Sequence, residues 1–433
     1  MKVALLNPRW TFEGSIYFGC REPHLPLELG YTRALLQRFG HEAILVDAHA
    51  EDLGVEALRA RFEAIAPDAT VVTTAPSYLF WRCAPPELRV PIEALRAVGD
   101  AAGMTIAVGP HASTSPGAAL RKLEVDVVVL GECEEVIPKL VSTPRARWSE
   151  LTSIAWSDDG EVRRLGGSAS VDMTALPGLR WDDDAIARHG HHHHRFERPA
   201  EGPGAELESS RGCPFHCTFC AKDEFRSEYR KRPLRVVLAE LDALLAQGVR
   251  YVYFVDEIFL ADPALLEALC SRDVAFGVQL RIDGWSEPML DLLGRAGCVS
   301  IEAGVESLSP EGRSLLNKRC RRTTGELVER LLYARKRVPF VQANLLAIGV
   351  DDPAAITAFR ERLAREGVWA NDPVPLFPYP GSPDYTSRWG KADDAAWERA
   401  LAHYLESCDR FSDIQENRPR PLSELERPAP RRG

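Results

Sequence analysis

Short apolar runs separated by stretches of helical periodicity set the pattern of the first third of the chain. Residues 3–6 form an apolar run stopped by Asn7 and Pro8, and residues 27–39 carry helical spacing up to Gly40. Residues 44–46, 71–72, 105–108 and 125–130 repeat the short apolar run. Five buried-type strands with helices between them predict an open parallel α/β sheet. In such sheets the ligand sits outside the carboxyl ends of the strands. The informative positions are therefore those just after each run, at 7–10, 73–77, 109–114 and 131–134.

Between residues 143 and 206 the pattern turns irregular and reads as a connector. Trp156 to Gly160 has the composition of a hairpin turn, and His191, His192, His193 and His194 are consecutive. Adjacent histidines do not converge on one tetrahedral site, so the tract reads as solvated loop. From residue 207 to about 385 strand and helix alternate again over ~180 residues, room for six units of ~30 residues. Strands are expected at 208–210, 249–255, 276–281, 299–304, 340–348 and 368–375, with helices such as 234–247 and 325–336. A last helix is expected over 392–408, followed by a loose tail at 417–433. The divisions are thus 1–142, 143–206, 207–390 and 391–433.

Composition narrows the class without choosing a function. The chain has 433 residues, 45% hydrophobic and 27% charged, which argues against wholesale disorder. Its 53 Lys and Arg against 63 Asp and Glu leave a net charge of −10, which disfavours a nucleic-acid partner. The amino-terminal apolar run is too short for an export signal, and no stretch nears the ~18 apolar residues of a membrane span. A cytoplasmic protein with no membrane partner is expected. No glycine-rich dinucleotide fingerprint or P-loop is present, so nicotinamide and P-loop nucleotide readings lose their main support.

Of ten cysteines, seven are scattered (Cys20, Cys83, Cys133, Cys270, Cys298, Cys320, Cys408) and read mostly as inert buried thiols. The other three, Cys213, Cys217 and Cys220, form a CxxxCxxC motif. A structural zinc site needs four ligands, and no second pair is available; His216 lies awkwardly inside the loop. Three thiolates on one loop suit a 4Fe-4S cluster with one iron left open to an exogenous ligand. With Phe219 directly before the last cysteine, the motif resembles the signature of the radical S-adenosylmethionine superfamily. That resemblance implies a partial (β/α)6 barrel whose open iron chelates the methionyl end of S-adenosylmethionine, with Phe219 near the adenine. It further implies cofactor contacts at Asp256 and Glu257 (methionyl amino group), at Glu306 after the fourth strand, at Arg281 after the third, and at Lys318 as a carboxylate-pairing base. The usual Gly-Gly-Glu is absent before Glu257.

The loops of the first sheet are similar to the cobalamin-binding domain found upstream of many radical S-adenosylmethionine enzymes. The resemblance rests on Asn7-Pro8, Thr73-Thr74-Ala75-Pro76, Gly109-Pro110-His111 and Gly131-Glu132-Cys133-Glu134, with Cys133 departing from the usual Gly-Glu-Gly-Glu. It implies a Rossmann-like fold and cobalamin contacts from Asn7, Thr73, Thr74, Ser77, Gly109, His111, Gly131 and Glu132. Asp47-Ala48-His49 begins like the cobalt-ligating Asp-x-His-x-x-Gly, but Asp52 stands where Gly is needed and the segment follows the second strand. No histidine is expected on cobalt. Leu376-Phe377-Pro378-Tyr379-Pro380-Gly381 closes the barrel in the style of the same cobalamin-dependent members. Together these imply a methyltransferase acting on an unactivated carbon of a small-molecule or carrier-bound intermediate, supplied with electrons by a flavodoxin or ferredoxin. Cyclisation or rearrangement with the same cofactors, and a non-catalytic iron-sulfur or zinc module, are the alternatives.

Overall fold

Alternation along the amino-terminal strands decides which side chains go to which face. Val3 and Leu5 enter one apolar core while Ala4 and Leu6 enter another, and the same split recurs at Val71 and Val72, Ile106 and Ala107, and Val127 and Val128. The structure is a computed structural model that describes residues 1–16, 22–76, 83–189, 202–222, 226–408 and 419–427. Strands β1 (Lys2–Asn7), β2 (Glu42–Asp47), β3 (Ala69–Thr73), β4 (Met104–Val108) and β5 (Val127–Val129) pair in parallel in the order β2-β1-β3-β4-β5. The order reverses between β1 and β3, which opens a crevice at their carboxyl ends, beside Asn7 and Thr73.

The connector is more ordered than its composition suggests. Two antiparallel strands, β6 (Ile154–Asp158) and β7 (Glu161–Leu165), extend the first sheet from β5 to seven strands. Asp159 (φ 47°) and Gly160 (φ 83°) make a two-residue turn with both residues left-handed, the geometry that matches strand twist. Beyond it Val171, Met173, Leu176, Leu179 and Trp181 are buried in the main core. The His191 to His194 tract lies outside the described residues.

The second sheet is all parallel, in the order β15-β14-β13-β12-β11-β8. Its strands are β8 (Gly204–Leu207), β11 (Tyr251–Phe254), β12 (Ala275–Leu280), β13 (Cys298–Glu306), β14 (Phe340–Ala347) and β15 (Trp369–Ala370), with β16 (Val374–Pro375) also paired to β14. Two expectations shift. The first strand ends before residue 208, and Ser210–Arg211 (β9) instead pairs antiparallel with Arg230–Lys231 (β10). The expected run at 368–375 breaks in two because Pro373 has no N–H and the Asn371 side chain bonds both the amide (2.7 Å) and the carbonyl (3.0 Å) of Leu345. At the carboxyl terminus the helix runs Ala396–Ser407. The described part of the tail is docked: Leu422 and Leu425 are buried, and Glu426 accepts from the Leu88 amide and pairs with Lys122. No described helix is long and apolar enough to cross a membrane.

The two sheets meet through a buried charge network at their carboxyl ends. Arg211, 1% exposed, donates to both carboxylate oxygens of Glu208 (3.1 and 3.0 Å), to Glu132 (3.0 Å) and to Glu134 (2.8 Å). Arg230 also pairs with Glu132, and Arg226 pairs with Glu208 and Glu257. Burial works against ionisation of Glu132, yet Arg211, Arg230 and Arg226 hold its carboxyl below the ordinary value. Burial pushes Glu134 up, with Arg211 offsetting part of the rise. Replacing Arg211 by Met would leave three buried carboxylates without their shared cation. The expected loss is about 3–5 kcal/mol of unfolding free energy, read by urea denaturation. A midpoint within error of the parent would show that the network contributes nothing to joining the sheets.

Candidate functional site

Residues after the strands of the first sheet form a buried polar crest. Asn7 donates to Asp47 (2.8 Å) and accepts from the Trp10 indole (2.9 Å). Thr73 and Thr74 are fully buried, and neither hydroxyl has a hydrogen-bond partner among the described residues. Buried polar groups are normally satisfied, so two adjacent hydroxyls left over at a strand end are a fit for a polar ligand. Gly109 (φ 121°) lets β4 pass close by, since a Cβ there would meet the Thr74 hydroxyl at 2.5 Å. His111 stacks on Trp397 with ring centroids 4.1 Å apart, and burial drives its pKa down to about 3, leaving it a neutral imidazole. Gly131 (φ 80°) donates to Ser113, and a Cβ there would strike the Ala169 carbonyl. Glu132 is committed to Arg211 and Arg230, so it faces the junction between the sheets rather than open space. Ser77 lies outside the described residues.

The cysteine loop follows β9 and is pinned from several sides. Lys222 donates to the Cys213 carbonyl (2.8 Å) and caps the Phe215 carbonyl, Asn317 donates to the His216 carbonyl (2.7 Å), and the Thr218 amide bonds the Leu316 carbonyl (3.1 Å). Cys213, Cys217 and Cys220 are half-buried on this loop, as is Phe219. Burial raises the Cys217 thiol, against the pull of Lys318 and Arg281. Among the described residues no three His, Cys, Asp or Glu side chains converge closely enough to hold a metal ion. The thiols fit a cluster by ligand type and spacing, and would have to turn toward one another to bind it.

The expected S-adenosylmethionine contacts divide into two groups. Asp256 and Glu257 are spent on anchoring the cysteine loop: Asp256 accepts from the Ser209 amide (2.8 Å) and hydroxyl (2.6 Å) and from Ser210, while Glu257 accepts from the Gly212 amide (2.6 Å) and pairs with Arg226. Arg281, Glu306 and Lys318 come together beside the loop. The Arg281 guanidinium lies 3.9 Å over the Phe215 ring and donates to Asp283 (2.8 Å) and the Lys318 carbonyl (2.6 Å), yet its Nη1 is buried without a partner among the described residues. Lys318 bonds the Gly304 carbonyl (2.8 Å) and the Glu306 carboxylate. Glu306 ends β13 in the left-handed region (φ 62°), beyond a break in register at Gly304, a strained placement for a residue with a side chain.

Sequence reasoning singled out the turn carrying Phe377 and Tyr379 but missed Trp397 and Glu87, which lie with it at the crest. Trp397 bonds Thr114 (3.2 Å) besides stacking on His111, and Phe377 and Tyr379 pack near it. Tyr379 Oη is buried without a hydrogen-bond partner among the described residues. Glu87 lies beneath, bonded to Ser15 (3.0 Å), and burial pushes its pKa to about 7. A tryptophan on an amphipathic helix carries no signal that separates it from core, so only contact reveals it.

Comparison with known proteins gives the geometry a family context. Residues 207–360 match the Radical SAM superfamily. Over 89% of its length the chain also shares its fold, at TM-score 0.69 and 20% identity, with 77% of the radical S-adenosylmethionine methyltransferase TsrM from Kitasatospora setae, solved with cobalamin and a 4Fe-4S cluster. It is 23% identical over 332 residues to an uncharacterized methyltransferase of Pyrococcus horikoshii, covering 73% of this chain and 68% of that one. It is 24% identical over 376 residues to the anaerobic magnesium-protoporphyrin IX monomethyl ester cyclase of Cereibacter sphaeroides, covering 81% of this chain but only 57% of the cyclase.

Asp256 gives this site a pH signature. Burial raises its folded-state pKa to about 7, above the ~3.9 of an exposed aspartate, despite the bonds from Ser209 and Ser210. The folded protein therefore holds a proton that the unfolded chain releases between those values, and the group's contribution to stability falls as pH rises from about 4 through 7. Melting curves of parent and Asp256→Asn should shift in favour of the variant between pH 5 and 8. A gap between the two melting temperatures that stays constant with pH would contradict the assignment.

Proposed function

We propose that this chain is a cobalamin-dependent radical S-adenosylmethionine enzyme that methylates an unactivated carbon of a small-molecule or carrier-bound intermediate. The observation that carries the reading is the meeting of the two sheets at their carboxyl ends. Arg211, two residues before Cys213, is bonded to Glu132 and Glu134, which follow β5. The cysteine loop and the Thr73, Thr74 and His111 crest therefore border one junction. On this reading residues 1–142, with the β6–β7 hairpin added, form a Rossmann-like cobalamin domain, residues 207–390 form a partial (β/α)6 barrel, and the described residues of 391–433 (391–408 and 419–427) cap the junction. When bound, the cluster and S-adenosylmethionine would supply a 5'-deoxyadenosyl radical and cobalamin a transferable methyl group.

The protein's own part is to bind, orient and exclude water. Cys213, Cys217 and Cys220 hold the cluster, and Phe219 borders the adenine. The unpartnered Arg281 Nη1 is the donor best placed for the methionyl carboxylate, because Lys318 is already occupied by Glu306 and Gly304. Glu306 accepts from the cofactor while fixing Lys318. Thr73 and Thr74, with Asn7, His111 and the close backbone at Gly109 and Gly131, take the polar edge of the cobalamin. His111 is stacked on Trp397 and neutral, which suits a packing role rather than one as a charged group. The likeness to a cyclase favours one second reading, ring formation with the same cofactors.

Anaerobically reconstituted Cys213→Ala, Cys217→Ala and Cys220→Ala should each lose iron-sulfur absorbance and 5'-deoxyadenosine formation; a normal cluster in any of them would refute the ligand set. Methylation requires both 5'-deoxyadenosine and S-adenosylhomocysteine among the products, whereas 5'-deoxyadenosine alone would point to cyclisation. Glu306→Ala should keep the parent's iron and sulfide but bind S-adenosylmethionine about tenfold more weakly, the scale of one charge-assisted hydrogen bond, with Glu306→Gln milder. Unchanged affinity in Glu306→Ala would remove Glu306 from the cofactor site.

A further inference from the structure

One element beside the cysteine loop has work left over after the cofactor contacts are assigned. Residues 313–322 contain five Arg or Lys (Arg313, Lys318, Arg319, Arg321, Arg322) and no Asp or Glu, in a chain of net charge −10. The segment runs along the loop through the Thr218 to Leu316 and Asn317 to His216 bonds, and Arg319 Nε donates to the Asn317 side chain (3.2 Å). Asn317 (φ 48°) and Arg319 (φ 52°) are both left-handed, which is unusual for residues with side chains and marks a backbone held against its preference. The alternation turns Lys318 inward to Glu306, where it is buried, and leaves Arg319 and Arg321 exposed. Beside them Leu315 is 57% exposed, and Pro214 and His216 of the cysteine loop are exposed too. Among the described residues Glu311, Asp384 and Asp283 are acids near this segment, while Arg322 is half-buried, 4.0 Å from Glu326.

We propose that this face, Leu315 rimmed by Arg319 and Arg321 against the cysteine loop, docks a small acidic one-electron carrier protein of the flavodoxin kind. The inference rests on the radical SAM reading above, which needs an outside reductant. In the transfer the carrier is oxidised by one electron and the centre held by Cys213, Cys217 and Cys220 is reduced by one; no bond is made or broken. Charge complementarity selects the partner: an acidic carrier is repelled by the chain as a whole and attracted here, where an apolar side chain gives a contact centre and the cations a rim. The face adjoins the loop that carries the three half-buried cysteines. A second basic surface, Arg295, Lys336 and Arg337, lies at the amino ends of β13 and β14, away from the cysteine loop, and serves as a control.

The test uses the full chain and oxidised flavodoxin as the probe, with affinity measured by equilibrium titration at low and high salt. Arg319→Glu/Arg321→Glu should bind about tenfold more weakly at low salt and lose most of the salt dependence. Its iron content and dithionite-driven 5'-deoxyadenosine formation should match the parent, while the flavodoxin-driven rate falls. Arg295→Glu/Lys336→Glu should bind like the parent. Equal affinity of parent and Arg319→Glu/Arg321→Glu, or equal weakening by both double variants, would overturn the docking surface. A parent protein that forms no 5'-deoxyadenosine even with dithionite would overturn the catalytic reading instead, and the binding comparison would still judge the surface.

Discussion

Everything in this fold that bears on chemistry depends on keeping four buried carboxylates and three arginines together where two parallel sheets meet. Glu132 and Glu134 come from the loop after β5, Glu208 from the end of β8, Glu257 from the end of β11, and Arg211, Arg226 and Arg230 from the segments around the cysteine loop. Each carboxylate would be costly alone at this depth, and each arginine equally so. The arrangement is therefore all or nothing. It ties the start of the cysteine loop to the crest of the first sheet, because the planar guanidinium of Arg211 bonds Glu208, Glu132 and Glu134 at once.

That constraint explains how donors are shared out at the site. Asp256 and Glu257 look available in sequence, yet the backbone entering the cysteine loop presents unpaired amides at Ser209 and Gly212, and the two acids satisfy them. The groups left with spare capacity are different ones: Arg281 Nη1, the Thr73 and Thr74 hydroxyls and Tyr379 Oη. Unsatisfied buried polar atoms are rare in folded proteins, and these four, among others in the described residues, lie near the carboxyl ends of the two sheets, where a ligand would supply the missing bonds. Left-handed backbone at Glu306, Asn317 and Arg319 lies along the same margin, which is where strain tends to be retained for function.

Closure of the junction comes from the far end of the chain. Helix Ala396–Ser407 brings Trp397 onto His111, and the docked segment around Leu422 and Leu425 ties Glu426 to Lys122 and to the Leu88 amide. The turn carrying Phe377 and Tyr379 fills the space between, so residues nearly 300 positions apart in sequence complete one wall. A tail rich in Pro, Arg and Glu has a disordered composition, but two buried leucines three positions apart, Leu422 and Leu425, dock its described part onto the core.

By itself the sequence determined the strand and helix alternation of both halves, because apolar runs of period two and helical stretches of period 3.6 are local properties. It also determined the CxxxCxxC loop, since ligand type and spacing lie within eight residues. The β6–β7 hairpin was legible only as a turn, because Val162 to Leu165 is polar enough to pass for linker until β5 offers it an edge. What only the tertiary structure decided is partnership: that Glu132 belongs to Arg211 rather than to open space, that Asp256 anchors a loop, that Arg281 keeps a free donor, and that Trp397 covers His111. Charges and hydroxyls announce their chemistry in one dimension, but whether that chemistry is spent within the protein or left for a ligand depends on which distant groups folding brings within about 3 Å of them.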